Sequence, residues 1–166
     1  MASLWRLAQD WVDLDTGALL CAADDFARAG SGAAVVGGRW NSVGSAVIYL
    51  ADSLALAQLE KRVHSPHRPP LGMVAVEVTL AATQLSAAAP VDVPEEWGAD
   101  NIDWSVGHTA TQAIGDVWLA AGESLLLRVP SVVVAVGWNY LLNPAHPDAK
   151  RLRTRRVDYR PDPRLW

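Results

Sequence analysis

At 166 residues, 51% hydrophobic and 19% charged, the chain is long enough to bury a core and too apolar to remain disordered. Asp52, Pro130 and Asn139 break the best apolar runs short of the ~18 residues of a membrane helix, and Met1-Ala2-Ser3-Leu4-Trp5-Arg6 has no basic start before an apolar run, which argues against a membrane span and a secretory leader. The net charge of −4 hides an asymmetry: residues 150–166 carry seven Lys and Arg against two Asp, a tail of +5 on a body of −9.

A basic tail on an acidic body points to a phosphate ligand, a nucleic acid or an acidic partner, or else to a solvated charged end. Cys21 is the only cysteine, so no internal disulfide forms, in keeping with a reducing cytoplasm. Eight tryptophans are many for this length; Trp5, Trp40, Trp104, Trp118 and Trp138 fall beside predicted elements as core or pocket walls.

In chain order, Leu4 to Ala8 predicts a strand, and Leu19 to Ala29 a helix that stops at Gly30-Ser31-Gly32. Ala46 to Leu50 is a second strand. Asp52-Ser53 then caps a helix from Leu54 to about His64. Met73 to Leu80 alternates Val74, Val76, Val78 and Leu80 against Ala75, Glu77 and Thr79, the pattern of a strand with one buried face. Residues 86–105 read as loop. Thr109 to Ala121 is a helix with Ile114, Val117 and Trp118 on one stripe and Gly122 as its stop. Leu125 to Val129 and Ser131 to Val136 read as two buried strands parted by Pro130. After a loop from Asn143-Pro144, Leu152 to Tyr159 reads as an edge strand. The irregular interleaving predicts one α+β domain over 1–166, with a core at 30–150 and a basic segment at 150–166.

Three motifs carry little chemistry. Gly30-Ser31-Gly32 lacks the third glycine of a dinucleotide fingerprint, Val35 standing there, and a predicted helix precedes it. His64 and His67 have ligand-like spacing, but Pro66 lies between them and no cysteine or carboxylate joins them, so no metal is expected. Cys21 sits in an Ala-rich run as an inert small residue.

Gly37-Gly38-Arg39-Trp40-Asn41 is more informative. Paired glycines let a ligand approach the backbone, and the arginine offers a planar fork for phosphate or carboxylate; the alternative is an arginine packed over Trp40 or Trp5. At roughly 100° per residue, Leu59, Glu60 and Val63 fall on the Leu56 side of the helix, with Gln58, Lys61 and Arg62 opposite. Glu60 is thus an inward carboxylate that needs partners, and Arg39 is a natural one. Tyr49 ends a strand eleven residues earlier, so both can reach one cleft. Ser131, just after Pro130, either serves a site or bonds a neighbouring backbone group.

Together these residues resemble the RES domain, named for its arginine, glutamate and serine. The resemblance rests on Gly37-Gly38-Arg39-Trp40-Asn41-Ser42, Tyr49, Leu54 to Glu60, Ile114-Gly115-Asp116-Val117-Trp118-Leu119 and Val129-Pro130-Ser131-Val132-Val133-Val134. The run from Trp138 to Pro147 extends it, and Arg6 in Trp5-Arg6-Leu7 resembles the family's N-terminal arginine. Ala135 and Gly137 depart from the family's usual proline and glutamate.

The resemblance implies a fold like the diphtheria-toxin type of ADP-ribosyltransferase and a cytoplasmic toxin encoded beside an Xre-type antitoxin that blocks its cleft. It implies NAD+ as substrate, with the nicotinamide–ribose bond broken and ADP-ribose passed to a protein target, to water or to phosphate. Glu60 would stabilise the ribosyl cation or hold the ribose hydroxyls, Arg39 and Arg6 would hold the pyrophosphate or nicotinamide ribose, Tyr49 would stack on nicotinamide, and Ser131 would orient ribose or amide. A competing expectation is a non-enzymatic nucleic-acid-binding module that uses the basic tail. The acidic body and the lack of a nucleic-acid fold motif weigh against it.

Overall fold

The computed structural model describes residues 1–9, 11–12, 19–20, 30–65, 67, 72–91 and 109–166. Among them the chain runs β1 (Ala2–Gln9), β2 (Trp11–Val12), β3 (Leu19–Leu20), α1 (Ser31–Val36), β4 (Ile48–Ala51), α2 (Leu54–His64) and β5 (Met73–Leu80). Next come α3 (Ala82–Ser86), β6 (Ala89–Pro90), α4 (Thr109–Ala121), β7 (Leu126–Pro130), β8 (Trp138–Leu142) and β9 (Arg153–Asp158). Seven strands form one sheet in the order β6-β7-β8-β4-β1-β5-β9, and β2 pairs with β3 separately. Only the short β6–β7 pair is parallel. The architecture is α+β, as the interleaving predicts.

The alternating run Met73–Leu80 becomes the anchor of this sheet. It pairs with β1 along its whole length, from Ala2 opposite Leu80 to Gln9 opposite Met73. Both faces of β5 are covered through Met73–Val76, more than the single buried face expected. One face of the sheet buries Leu4, Ile48, Leu50, Val76, Val78, Leu126 and Leu142 in one cluster, with Leu85 and Leu152 packed against it. The opposite face carries two separate clusters. Leu7, Ala51 and Ala75 meet Leu56 and Ala57 of α2, while Leu127, Val129 and Leu141 meet Trp40, Val47 and Trp118. The gap between those two clusters is where the site lies.

Local signals explain α2. Ser53, extended at φ −145°, accepts the Leu56 N–H on its hydroxyl, which fixes the helix start as Asp52-Ser53 predicts. Asp52 meanwhile exchanges two bonds with Trp138: its N–H donates to the Trp138 carbonyl and its carboxylate accepts the Trp138 N–H, both at 3.0 Å. α2 therefore leaves the sheet from a fixed point beside β8. The helix Thr109–Ala121 also forms as expected and ends at Gly122, whose φ of +63° suits glycine.

Several expectations are corrected. Leu19–Leu20 pairs with Trp11–Val12 as strand, so the predicted helix does not begin there; Cys21 and the rest of 21–29 lie outside the described residues. Gly30-Ser31-Gly32 opens a short, unexpected helix, α1, and Gly37, at φ +72°, ends it. Ser131–Val136 is a turn and the next strand begins at Trp138. The valines have high β-propensity, but the Ser131 hydroxyl accepts the N–H groups of Val133 and Val134, and Ser131 N–H bonds the Gly137 carbonyl, which closes the loop of a β7–β8 hairpin. In α4 the buried stripe is Thr111, Gly115 and Trp118, with Val117 70% exposed.

The predicted loop contains β6 at Ala89–Pro90, while 92–105, with Trp104, lies outside the described residues. Leu152 to Tyr159 forms β9 at the sheet edge. Trp138 is not a core wall: it is 40% exposed, with the Arg128 guanidinium 4.5 Å above its ring. No helix among the described residues is long and apolar enough to cross a membrane.

Candidate active site

Between α2 and the Trp40–Trp118 layer opens a cavity of about 700 Å3, a volume suited to a ligand larger than a single base or sugar. Its wall includes Arg6 from β1, Arg39 and Trp40 from the loop after α1, Tyr49 from β4, Glu60 and Lys61 from α2, and Asn139 from β8. Arg6, Arg39, Tyr49 and Glu60 thus share one cavity. Burial lowers the Arg6 pKa to about 10, which still leaves a cation at neutral pH. Burial also lowers Arg39, with the charges of Glu60 and the Tyr49 side chain acting in the opposite direction.

Glu60 lies on the Leu56 side of α2, as the wheel places it, but two of its expected companions are not buried. Leu56, Ala57 and Gln58 are the buried residues of α2, whereas Leu59 and Val63 are 39% and 58% exposed. The buried face is therefore rotated from the predicted stripe towards Ala57 and Gln58, and Glu60 faces the cleft from between Leu56 and Ala57 on the helix. Two donors converge on its Oε1: the Ser131 hydroxyl at 2.9 Å and the Asn139 amide at 2.6 Å. Oε2 takes no hydrogen bond from a described residue.

Ser131 stands behind Glu60. A hydroxyl has one proton and two lone pairs, and here it donates to Glu60 while accepting from Val133 N–H and Val134 N–H, each at 3.1 Å. Of the two readings of Ser131 from sequence, the bond to neighbouring backbone is present, and the same hydroxyl also bonds Glu60.

The loop carrying Arg39 is fixed from below and from the side. Asn41, wholly buried, donates to the carbonyls of Ala33 at 2.8 Å and Ser45 at 2.9 Å, and its Oδ1 accepts from the Tyr49 hydroxyl at 2.8 Å. The same hydroxyl accepts the Trp40 N–H at 3.0 Å, so only the Tyr49 ring remains for a ligand. Burial raises the Tyr49 pKa to about 12. From α4, Thr111 donates to the Arg39 carbonyl, Gln112 donates to the Gly38 carbonyl at 2.9 Å, and Asp116 accepts the Ser42 N–H at 3.1 Å. Gly38 is glycine for a reason of space: a Cβ there would stand 2.5 Å from the Tyr49 hydroxyl oxygen. At Gly115 a Cβ would fall 1.8 Å from the Trp40 carbonyl oxygen.

The family model of the RES domain matches residues 3–165. The chain belongs to the RES domain family. Among curated relatives, the Prs ADP-ribosylating toxin of Sphingobium sp. (strain YBL2) is 39% identical over 98% of this chain and 96% of that protein. Toxin Res of Pseudomonas putida is 34% identical over 82% of this chain and 91% of its own, and Toxin Res of Yersinia enterocolitica 38% over 70% and 74%. In fold the chain is similar to a chain of the crystal structure of the M. tuberculosis MbcT–MbcA toxin–antitoxin complex, with a TM-score of 0.61 and 21% identity over 95% of this chain and 84% of that one.

Several residues of this RES domain site escape a reading by motif. Asn139 is one, because the valine run before it carries the strand signal that β8 in fact fulfils; an amide amid Trp138, Tyr140 and Leu141 is the signal once β8 is located. Lys61 belongs to the outer face of α2 on a helical wheel and instead lines the cavity. Gln112 and Asn41 leave no sequence signal beyond lying near the arginine loop or in an apolar helix. His64 and His67 are both exposed, and among the described residues no three His, Cys, Asp or Glu gather as metal ligands. The basic tail is largely engaged with acids: Arg151 pairs with Asp148, Arg155 with Glu77, Arg156 with Asp158 and Arg164 with Asp162.

Proposed function

We propose that this RES domain, one domain over 1–166, is the toxin of a toxin–antitoxin pair and an enzyme of ADP-ribosyltransferase type with NAD+ as its substrate. The observation that carries the reading is Glu60, its Oε1 held by Ser131 and Asn139 and its Oε2 unoccupied by the described residues, in a cavity it shares with Arg6 and Arg39. The names of the curated relatives support it, and the fold is taken to be of the diphtheria-toxin type.

Breaking the nicotinamide–ribose bond places positive charge on the ribose C1′ and O4′ while nicotinamide leaves as a neutral amide. The electron pair of the broken bond goes to the nicotinamide nitrogen; an acceptor oxygen or nitrogen then bonds C1′ and releases its proton. NAD+ and acceptor become ADP-ribosyl acceptor, nicotinamide and H+. A preorganised carboxylate facing that carbon stabilises the cation without reorganising, an effect of about 3 kcal/mol for one such contact. Glu60 fills that role, with its free oxygen towards the ribose. Ser131 and Asn139 position Glu60. The Tyr49 ring stacks on nicotinamide, and Arg39 and Arg6 hold the pyrophosphate or the nicotinamide ribose. No step calls for a metal.

The acceptor is a cellular protein side chain, water or phosphate. Growth arrest results in either case, in the cytoplasm, and an Xre-type antitoxin restrains the enzyme by covering the cleft. The test is nicotinamide release from NAD+ by the purified chain, with and without lysate, beside Glu60→Gln. Release by the wild type alone marks NAD+ depletion, and release only with lysate, together with a labelled protein, marks transfer. No release under either condition, or equal release by Glu60→Gln, overturns the reading.

A further inference from the structure

Lys61 is unusual among the cations of the cleft. It comes directly after Glu60 on α2, is half-buried, and lines the same cavity as Arg6 and Arg39. Among the described residues its ammonium makes no hydrogen bond and no ion pair, and no carboxylate raises its pKa. Burial and the charge of Arg6 both lower it. Four arginines of the C-terminal segment, Arg151, Arg155, Arg156 and Arg164, are by contrast paired with acids at the surface. A half-buried ammonium beside a second, buried cation is unfavourable in the empty protein through desolvation and repulsion together. A ligand that brings its own negative charge removes both costs at once. Glu60, although adjacent in sequence, makes no ion pair with Lys61, and its Oε1 is turned to Ser131 and Asn139.

We propose that Lys61, together with Arg6, forms a diphosphate subsite in this cleft, so that the chain selects ligands in which a ribose is joined to a diphosphate. The inference rests on the NAD+ reading for the identity of the ligand, and it names a residue of that ligand's site. Lys61 acts as a point charge on the bridging phosphates, while the Glu60–Tyr49–Arg39 part of the cavity takes the ribose next to nicotinamide. The neighbouring positions 60 and 61 then divide the ligand: carboxylate to the cationic sugar, ammonium to the anionic linker. Such a division disfavours nucleosides and monophosphates relative to the dinucleotide.

The test is calorimetric binding of ADP-ribose, ADP, AMP and nicotinamide riboside to the full chain carrying Lys61→Met, Lys61→Arg or no change, with melting curves to show that each is folded. Lys61→Met should weaken ADP-ribose and ADP about tenfold and flatten their salt dependence, while nicotinamide riboside changes less than twofold. Lys61→Arg should restore most of the loss, and in turnover the Lys61→Met defect should fall on KM more than on kcat. Equal affinity of Lys61→Met and wild type for ADP-ribose, or an equal loss for nicotinamide riboside, overturns the subsite. The two readings fail separately. Lys61-dependent ADP-ribose binding without nicotinamide release removes the catalytic reading alone, and nicotinamide release with an unchanged KM in Lys61→Met removes the subsite alone.

Discussion

The Ser131 hydroxyl donates to Glu60 Oε1 at 2.9 Å and accepts two backbone N–H groups of its own loop. Its bonding capacity is therefore complete before any ligand arrives. Ser131→Ala removes the donor to Glu60 and orphans the N–H groups of Val133 and Val134, which costs about 1–3 kcal/mol of stability. Turnover should fall on the order of 100-fold, with KM changing little, because the lost contact supports the group facing the transition state. Ser131→Thr, which keeps the hydroxyl, should recover much of both losses. Melting curves beside nicotinamide-release kinetics decide it. A Ser131→Ala enzyme with normal stability and kcat would remove Ser131 from this role.

Space governs the other side of the cleft. Gly115 lies so close to Trp40 that a Cβ would be 1.8 Å from its carbonyl oxygen, and backbone cannot step aside as a side chain can. Gly115→Ala should therefore push α4 off the arginine loop, at a cost of about 3 kcal/mol, and should also weaken the Thr111, Gln112 and Asp116 bonds to residues 38–42. The expected result is a lower melting temperature together with lost NAD+ turnover. A Gly115→Ala chain as stable as wild type contradicts this packing.

Sequence made the two ends of α2 and the whole of β5 readable because each depends on a local rule. Ser53 caps the helix that begins at Leu54, and Met73–Leu80 alternates without interruption. The site was legible in part for the same reason: the glycine pair announces a loop that a ligand can approach, and Glu60 is a carboxylate on a helix with apolar neighbours. The features that local rules miss depend on partners distant in sequence. The face of α2 is set by the elements that pack on both its sides, so a wheel centred on Leu56 mistakes Gln58 for an outer residue and Val63 for an inner one. The valine run after Pro130 looks like strand until the Ser131 hydroxyl takes its N–H groups. Asn139 acquires meaning only when β8 pairs with β4, placing it opposite Ala51 and within reach of Glu60.

The Tyr49 phenol supplies a pH signature. Burial raises its pKa from an ordinary 10.0 to about 12. The folded state then binds a proton between those values that the unfolded state has lost, so stability decreases as pH rises through that window and is unaffected below it. Over two units the loss is about 3 kcal/mol. Arg6, lowered to about 10, contributes with the opposite sign over the same range, because there the unfolded state is the one that holds more protons. The informative quantity is thus the difference between wild type and Tyr49→Phe in denaturant titrations from pH 8 to 12. It should be flat to about pH 10 and then shrink. A difference constant across the range would mean that the Tyr49 hydroxyl is not buried as the fold places it.

Gln58 offers a test in which stability rises. It is only 7% exposed, and neither its amide nitrogen nor its amide oxygen has a hydrogen-bond partner among the described residues. Such a group forfeits its bonds to water and gains none in return, a cost of about 1–3 kcal/mol. Four residues on, Arg62 donates to the Leu165 carbonyl, and beyond it Trp166 Nε1–H donates to the Ser65 carbonyl at 2.7 Å. The Gln58 side of α2 is therefore the side that the C-terminal segment covers, about 160° around the helix from Glu60. Gln58→Met keeps the length and flexibility of the side chain and removes the orphaned amide, so it should raise stability by about 1–2 kcal/mol. Turnover should remain at the wild-type level, since the change is made behind the helix and not in the cleft. Denaturant midpoints and nicotinamide release, measured on the same preparations, separate the two effects. A destabilised Gln58→Met chain would show that the amide has a partner after all.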